Sequence, residues 1–159
     1  MKKLIAIAAL AAATIATPAL AKDAFTGPRA EVTAGYNDVT GVAANHNFAY
    51  GVEAGYDVSP IKNVTVGVNV GLSNVLDRRD VSVGARVGYE LNDHALLYGK
   101  VGYSNYRNLL ARNTDGLGLG VGLEVNVAGP VYVKTEYRYT DLGRGVRKNA
   151  VVGGVGFRF

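Results

Sequence analysis

The stretch "DGLGLGVGLEVNV", residues 115–127, has a glycine at every second position from Gly116 to Gly122, with Leu or Val in between. Glycine weakens a strand, because it loses much entropy on folding and offers no side chain to pack. A dinucleotide-binding loop would need the spacing G-x-G-x-x-G and a following helix. Position 123 is Leu123 instead, and the next residues alternate up to a turn at 128–130. The glycines therefore need another cause.

The same period of two runs through most of the chain. Apolar residues alternate with other residues in the segments 29–37, 48–58, 63–73, 81–91, 95–104, 116–127, 131–140 and 150–159. Such alternation is typical of half-buried strands, and no window of useful length shows the 3.6-residue period of an amphipathic helix. The sequence predicts an all-β fold with eight strands.

The connections between these segments alternate in length. The short ones, 59–62, 92–94 and 128–130, have turn composition. The longer ones are 38–47, 74–80, 105–115 and 141–149. This alternation predicts an antiparallel up-and-down sheet with two unlike ends, and both chain ends lie at the short-turn end.

One face of the predicted strands is apolar, and the other carries glycine and the mid-strand charges. These charges are Arg29, Glu31, Glu53, Asp57, Arg86, Glu90, Lys100, Glu124, Lys134, Glu136, Arg138 and Arg158. A soluble barrel or sandwich would turn the charged face to water, whereas an outer-membrane barrel turns it to the lumen. The alternation alone fits both.

The glycines decide between the two orientations. A water-exposed face gives no reason for repeated glycine, whereas the interior of an eight-stranded barrel is only wide enough for side chains to fill it. Glycine on one strand then makes room for a large side chain from another. In addition, a Lys or Arg facing lipid near the midplane costs roughly 2–4 kcal/mol. We therefore predict an eight-stranded transmembrane β-barrel whose lumen holds paired charges, with Tyr98 and Tyr132 filling it.

The outward aromatic residues form two groups, as expected for the two membrane interfaces. Tyr36, Phe48, Tyr50, Tyr103, Tyr137 and Tyr139 lie near the long-loop ends of their strands, and Tyr56, Tyr89, Phe157 and Phe159 lie near the short-turn ends. This distribution independently favours the membrane orientation.

Residues 1–21 have the features of a cleaved signal peptide: Lys2 and Lys3, an apolar run, and the small-residue site Ala19-Leu20-Ala21. We expect residues 22–28 to be a short extension and 29–159 to be the barrel. Without the two lysines, 15 positive residues face 13 acidic ones, so the net charge falls from +4 to +2. That value gives no reason to expect a nucleic-acid partner. The chain has no Cys for disulfides, and no transmembrane helix is predicted after Ala21.

The final strand ends in "VVGGVGFRF", residues 151–159. With the signal peptide and the eight alternating segments, it resembles the small outer-membrane β-barrels of the opacity-protein/porin superfamily of Gram-negative bacteria. The resemblance implies location in the outer membrane, contact with its lipid and lipopolysaccharide, and assembly by the barrel-assembly machinery. It also implies that the terminal Phe159, with Phe157 on the same face, is the signal which that machinery reads.

The sequence gives little reason to expect catalysis. Hydrolytic barrels need a nucleophile or an activated water beside a His that a carboxylate orients. His46 and His94 lie at opposite ends, and neither is part of a His-x-Ser pair. We predict no enzymatic activity, cofactor or metal.

The strongest candidate for a surface contact is the stretch "GRGVRKN", residues 143–149. In it Arg144, Arg147 and Lys148 could bind lipopolysaccharide phosphates or carboxylates through charge-assisted contacts. We predict a monomeric outer-membrane barrel with a structural or surface-interaction role. Two alternatives stay open: a narrow passive channel for small solutes, and a soluble periplasmic barrel that binds a ligand.

Overall fold

The described part of the chain forms eight antiparallel strands, and the first strand pairs with the last to close them into a barrel. The computed structural model describes residues 24–40, 45–75, 78–107, 113–141 and 147–159. The strands are β1 (Gly27–Thr40), β2 (Asn45–Ile61), β3 (Val64–Val75), β4 (Arg78–Asn92), β5 (Ala95–Arg107), β6 (Asn113–Ala128), β7 (Val131–Asp141) and β8 (Arg147–Arg158). None of the described ranges contains a helix with the length and hydropathy that a membrane crossing requires. The predicted fold class and strand number are confirmed.

The strands extend beyond their predicted bounds, so the predicted long connections are too long. The expected connection 74–80, for example, shrinks to 76–77, because β3 continues to Val75 and β4 begins at Arg78. The ladder bonds join backbone groups, so polar segments can extend a hairpin once the apolar part has fixed its register. We call the end with connections 62–63, 93–94 and 129–130 the turn end, and the opposite end the loop end.

The register of the barrel is strongly sheared. A path of paired residues around it runs Arg29, Gly55, Asn69, Gly84, Gly102, Gly118, Thr140, Lys148 and Val39. The path returns to β1 at position 39 instead of 29, a shift of 39 − 29 = 10 residues. Such a shear tilts the strands by roughly 35–45° to the barrel axis. Residues from strands that are not neighbours are thereby brought to the same height in the lumen.

The apolar face points outward and the charged face inward, as predicted. Val32 is 60% exposed and Leu119 57%, whereas Arg86 is 2% exposed and Glu124 is fully buried. A barrel exposing this much apolar surface is matched to lipid rather than water.

The predicted reason for the glycines is confirmed at several positions. Gly122 lies beside Tyr98 on the neighbouring strand, and a Cβ at Gly122 would come 2.6 Å from the Tyr98 ring. Gly156 lies beside Tyr132 in the same way, and a Cβ there would overlap the ring. The two tyrosines therefore cover the backbone of the two glycines, a known device for stabilising glycine in sheets.

Candidate functional site: the barrel lumen

The half of the lumen nearer the turn end, which we call the turn half, is organised around Asp57. Arg86 donates to its carboxylate through Nε at 2.9 Å and Nη2 at 2.6 Å, and Arg29 donates through Nε at 3.0 Å. The side chains of these three residues are at most 2% exposed. Forked arginine contacts of this kind are the strong, geometrically specific form of ion pair.

Arg86 links Asp57 to a second carboxylate across the lumen. Its Nη1 donates to Glu124 Oε2 at 2.9 Å, and Arg158 Nη2 donates to the other oxygen of Glu124. Arg158 Nη2 also lies 3.6 Å from Asp57 Oδ2. The ion pairs therefore tie together β2, β4, β6 and β8, and they fill the cross-section with buried charge.

A second group of charges lies against the first, on the side of the loop end. Lys134 Nζ donates to Glu31 and, at 3.3 Å, to Glu136. Each carboxylate also accepts a phenol proton: Tyr132 donates to Glu31 at 2.8 Å and Tyr98 donates to Glu136 at 2.7 Å. The two predicted lumen-filling tyrosines are thus buried and hydrogen-bonded, as buried tyrosines usually are.

The loop-side boundary of the charged region is formed by Glu53. Lys100 Nζ donates to its two carboxylate oxygens at 2.7 and 2.8 Å, and Arg138 Nη2 donates at 3.3 Å. Arg138 Nε also donates to Glu136, which joins this group to the preceding one. The Arg138 side chain is 29% exposed, so the fully buried part of the ion-pair network ends there.

Of the predicted lumen charges, Glu90 has a different kind of partner from the rest. It accepts a hydrogen bond from Thr65 Oγ1 at 2.9 Å near the turn end. All the other predicted charges take part in the ion pairs above.

The aromatic rings of the turn half pack against guanidinium groups. The Arg86 Cζ atom lies 5.0 Å from the centre of the Tyr98 ring, and the Arg158 Cζ atom lies 5.3 Å from that of Tyr132 and 5.6 Å from that of Phe25. Such contacts favour the cation and cover it from water. Phe25 was not among the predicted site residues, because it precedes the alternating pattern.

The half of the lumen nearer the loop end, the loop half, contains a cavity of about 90 Å³, lined mainly by small and polar side chains and also by charged residues that include Asp80 and Lys148. Its inward residues include Gly35, Ser82, Gly102, Ser104, Gly118 and Thr140. The cavity is large enough to hold water molecules. The glycines of the opening stretch thus do two things: Gly122 makes room for a ring, and Gly118 borders open space.

The residues predicted to bind lipopolysaccharide do not share one face. Arg147 is exposed, whereas Lys148 lines the cavity of the loop half. Arg144 lies outside the described residues. At the other end, the rings of Phe157 and Phe159 lie 5.0 Å apart, and the Phe159 backbone nitrogen donates to the Pro28 carbonyl at 2.9 Å. The terminal residue therefore helps to close the β1–β8 seam.

Of the two histidines considered for catalysis, the structure describes the side chain of one. His94 is exposed in the turn at 93–94, and the His46 side chain lies outside what is described. Within the described ranges, no three His, Asp or Glu residues are arranged to hold a metal ion.

Comparisons with known proteins agree with this architecture. Neisserial surface protein A has a TM-score of 0.65 and 20% identity, covering 84% of this chain and 98% of its own. Ail of Yersinia pestis has a TM-score of 0.57 and 20% identity, and the match covers 84% of this chain and 99% of Ail. The N-terminal barrel domain of OprF of Pseudomonas aeruginosa has a TM-score of 0.55 and 14% identity, and the match covers 84% of this chain and 99% of that domain.

Among curated proteins, none matches the chain. The family model for the outer membrane protein β-barrel domain does match, over residues 7–159. Because that match includes all eight strands, the chain belongs to the outer membrane protein β-barrel domain family.

Proposed function

We propose that this integral outer-membrane barrel has a structural or surface-interaction role and that its lumen is closed to solutes. The observation that carries the proposal is the network around Asp57, Arg86 and Glu124, which crosses the lumen with side chains that are almost fully buried. A solute would have to separate several charge-assisted bonds at once, and leaving one buried ion unpaired costs about 3–5 kcal/mol.

A conductance measurement tests the closed lumen. The purified barrel in a planar bilayer should give no steady current steps, whereas the double variant Arg86→Ser/Glu124→Ser, which removes one charge of each sign, should give small steps. A heat-dependent change of gel mobility would verify that both proteins are folded. Steady steps from the unaltered protein would contradict the proposal.

A narrow passive channel is the second candidate, and the cavity of the loop half favours it. The cavity gives a solute a polar entrance that leads down to Arg138 and Glu53. This function requires the unaltered barrel to conduct, so the same bilayer experiment decides between the two. The other alternative from the sequence, a soluble periplasmic ligand-binding barrel, does not fit the family of the chain or the apolar outer face of its barrel.

The barrel is proposed to be non-enzymatic. The one histidine side chain that is described, His94, lies on a turn, where its backbone nitrogen donates to the Asn92 side chain at 2.8 Å. This turn is at the opposite end from the loops, the elements on which functional residues concentrate.

The lipopolysaccharide contact is proposed for Arg147, whose side chain is exposed at the loop end, together with Arg144 of the same sequence stretch. Exposed arginines suit phosphate and carboxylate groups. The variant Arg144→Ser/Arg147→Ser should reduce co-purified lipopolysaccharide. Lys148→Ser is the matched control, because Lys148 lines the lumen. Equal amounts of co-purified lipopolysaccharide from Arg144→Ser/Arg147→Ser and from Lys148→Ser would rule out the contact.

The last proposal concerns assembly, in which Phe159 and Phe157 act as the signal for the barrel-assembly machinery. The exposed side chain of Phe157, the half-buried side chain of Phe159 and the contact between their rings at the turn end support it. Removal of Phe159 should lower the amount of folded protein in the outer membrane, whereas Val127→Ala, on the same outer face and at the same end, should not.

A further inference from the structure

Residues 24–26, just before β1, lie across the mouth of the barrel at the turn end. Phe25 is fully buried and packs in one cluster with Leu96 and Tyr98 of β5. The Asn126 side chain on β6 donates to the carbonyl of Ala24 at 3.3 Å. In the strand order, β5 is four strands from β1, on the opposite wall. The segment therefore spans the opening instead of leading away from it.

Gly27 allows the chain to turn in this direction. Its φ is +107°, a conformation that residues with a side chain rarely adopt, and a Cβ there would lie 2.7 Å from the Phe159 carbonyl oxygen. The next residue, Pro28, accepts the backbone bond from Phe159. The turn is thus anchored to the end of β8.

The ring of Phe25 packs against one of the charged groups of the turn half. Its centre lies 5.6 Å from the guanidinium carbon of Arg158, and Nη2 of the same guanidinium donates to Glu124. Excluding water from an ion pair strengthens the attraction within it, because the local dielectric constant falls. An apolar ring at this position therefore excludes water from the charged groups on the side of the turn end.

We propose that residues 24–26 are a stopper that seals the lumen at the turn end, with Phe25 as the sealing residue and Gly27 as its hinge. The proposal deepens the closed-lumen role proposed above and rests on it. It makes the lumen one-sided: water reaches the loop half down to Arg138, whereas the stopper keeps it from Leu96 and Arg158.

The chain has no Cys, so a single introduced cysteine reports on access to this seal. We would place it with Leu96→Cys, at a fully buried position in contact with the stopper. The folded protein in lipid nanodiscs would be treated with a charged, membrane-impermeant maleimide. Adding Phe25→Ala should raise the labelling rate at least about tenfold. The reagent reaches the cysteine only when residues 24–26 open locally, and loss of the ring makes that opening more frequent. Tyr89→Ala, an exposed aromatic on the outer face near the same end, should leave the rate unchanged.

Two further variants keep the test decisive if Phe25→Ala folds poorly. Phe25→Leu keeps an apolar side chain, so the cysteine should stay protected from the maleimide. Phe25→Gln has a polar side chain close in size to leucine, so the cysteine should be labelled fast. Equal labelling rates for Phe25→Leu, Phe25→Gln and the unaltered segment would overturn the stopper.

Failure of the closed lumen gives a different result. The unaltered barrel would then conduct in the planar bilayer, whatever the labelling of Leu96→Cys shows. A closed bilayer record with fast labelling of the unaltered stopper would overturn the stopper alone.

Discussion

The two halves of the lumen are built on the same alternation but filled differently. In the turn half, glycines such as Gly122 and Gly156 lie beside Tyr98 and Tyr132, and charges occupy the remaining space. In the loop half, Gly118 and its neighbours border a cavity. Alternation therefore fixes which residues point inward, whereas the size of the partner on the next strand decides whether the lumen is solid or open.

This difference should separate the two halves energetically. The ions of the turn half are removed from water, so each depends on its protein partners, and the loss of one partner leaves a buried charge. Polar groups of the loop half border a cavity roomy enough for water, which can replace a lost hydrogen bond at little cost. Matched substitutions in the two halves should show this contrast.

The largest effect is expected from Asp57→Ala. It leaves Arg29, Arg86 and Arg158 close together without the carboxylate that they share, so the free energy of unfolding should fall by about 3–5 kcal/mol. Urea titration in lipid vesicles, followed by gel mobility, measures the change. Arg138→Ala, at the exposed margin of the network, is the control and should cost clearly less. Similar losses of unfolding free energy for Asp57→Ala and Arg138→Ala would mean that water is excluded equally from both positions.

The next largest effect compares two glycines of one strand. Gly122→Ala places a methyl group 2.6 Å from the Tyr98 ring and should lower the free energy of unfolding by about 1–3 kcal/mol. Gly118→Ala meets first the Thr140 hydroxyl, at 3.3 Å, which can rotate, so its cost should stay within about 0.5 kcal/mol. The same urea titration applies, with the lipid-facing Leu119→Val as reference. If Gly118→Ala lowered the free energy of unfolding as much as Gly122→Ala does, the loop half would not be open as described.

The inward direction of the charges could be predicted from the sequence, because it depends only on a period of two. Asp57, Arg86 and Glu124 each follow from the position of their apolar neighbours. The orientation of the barrel also followed, since repeated glycine has a reason to occur on a crowded inner wall and none on a wet one.

The pairing of these charges could not be predicted. Glu31 and Lys134 are 103 positions apart and belong to strands that are not neighbours. Their contact depends on the ten-residue shear, which accumulates over eight registers, including irregular ones such as that between Val58 and Ile61. Phe25 lies outside any alternating segment. The nearest signal is Gly27-Pro28, which marks a turn without showing where it leads.

A smaller effect is expected from removing single phenol groups. Tyr98→Phe deletes the donor to Glu136 in the dry half, where bonds to charged groups contribute about 1.5–3 kcal/mol. Tyr137→Phe deletes a donor to Asn149 on the exposed surface, where the loss should stay within about 0.5 kcal/mol. Paired urea titrations compare the two free energies of unfolding. The reverse order would show that the ring of Tyr98, rather than its hydroxyl, stabilises the turn half.

The smallest contrast uses two hydroxyl groups. Thr65→Val keeps the shape of a fully buried side chain but removes the 2.9 Å bond to Glu90, so the free energy of unfolding should fall by about 1 kcal/mol. Ser82→Ala removes a hydroxyl that lines the cavity, and water can occupy its place, so the change should be too small to resolve. The same titration serves for both. A measurable loss for Ser82→Ala would mean that its hydroxyl has a protein partner which water cannot replace. The loop half would then be held together by its own polar contacts, and the contrast between the halves would be one of charge rather than of hydration.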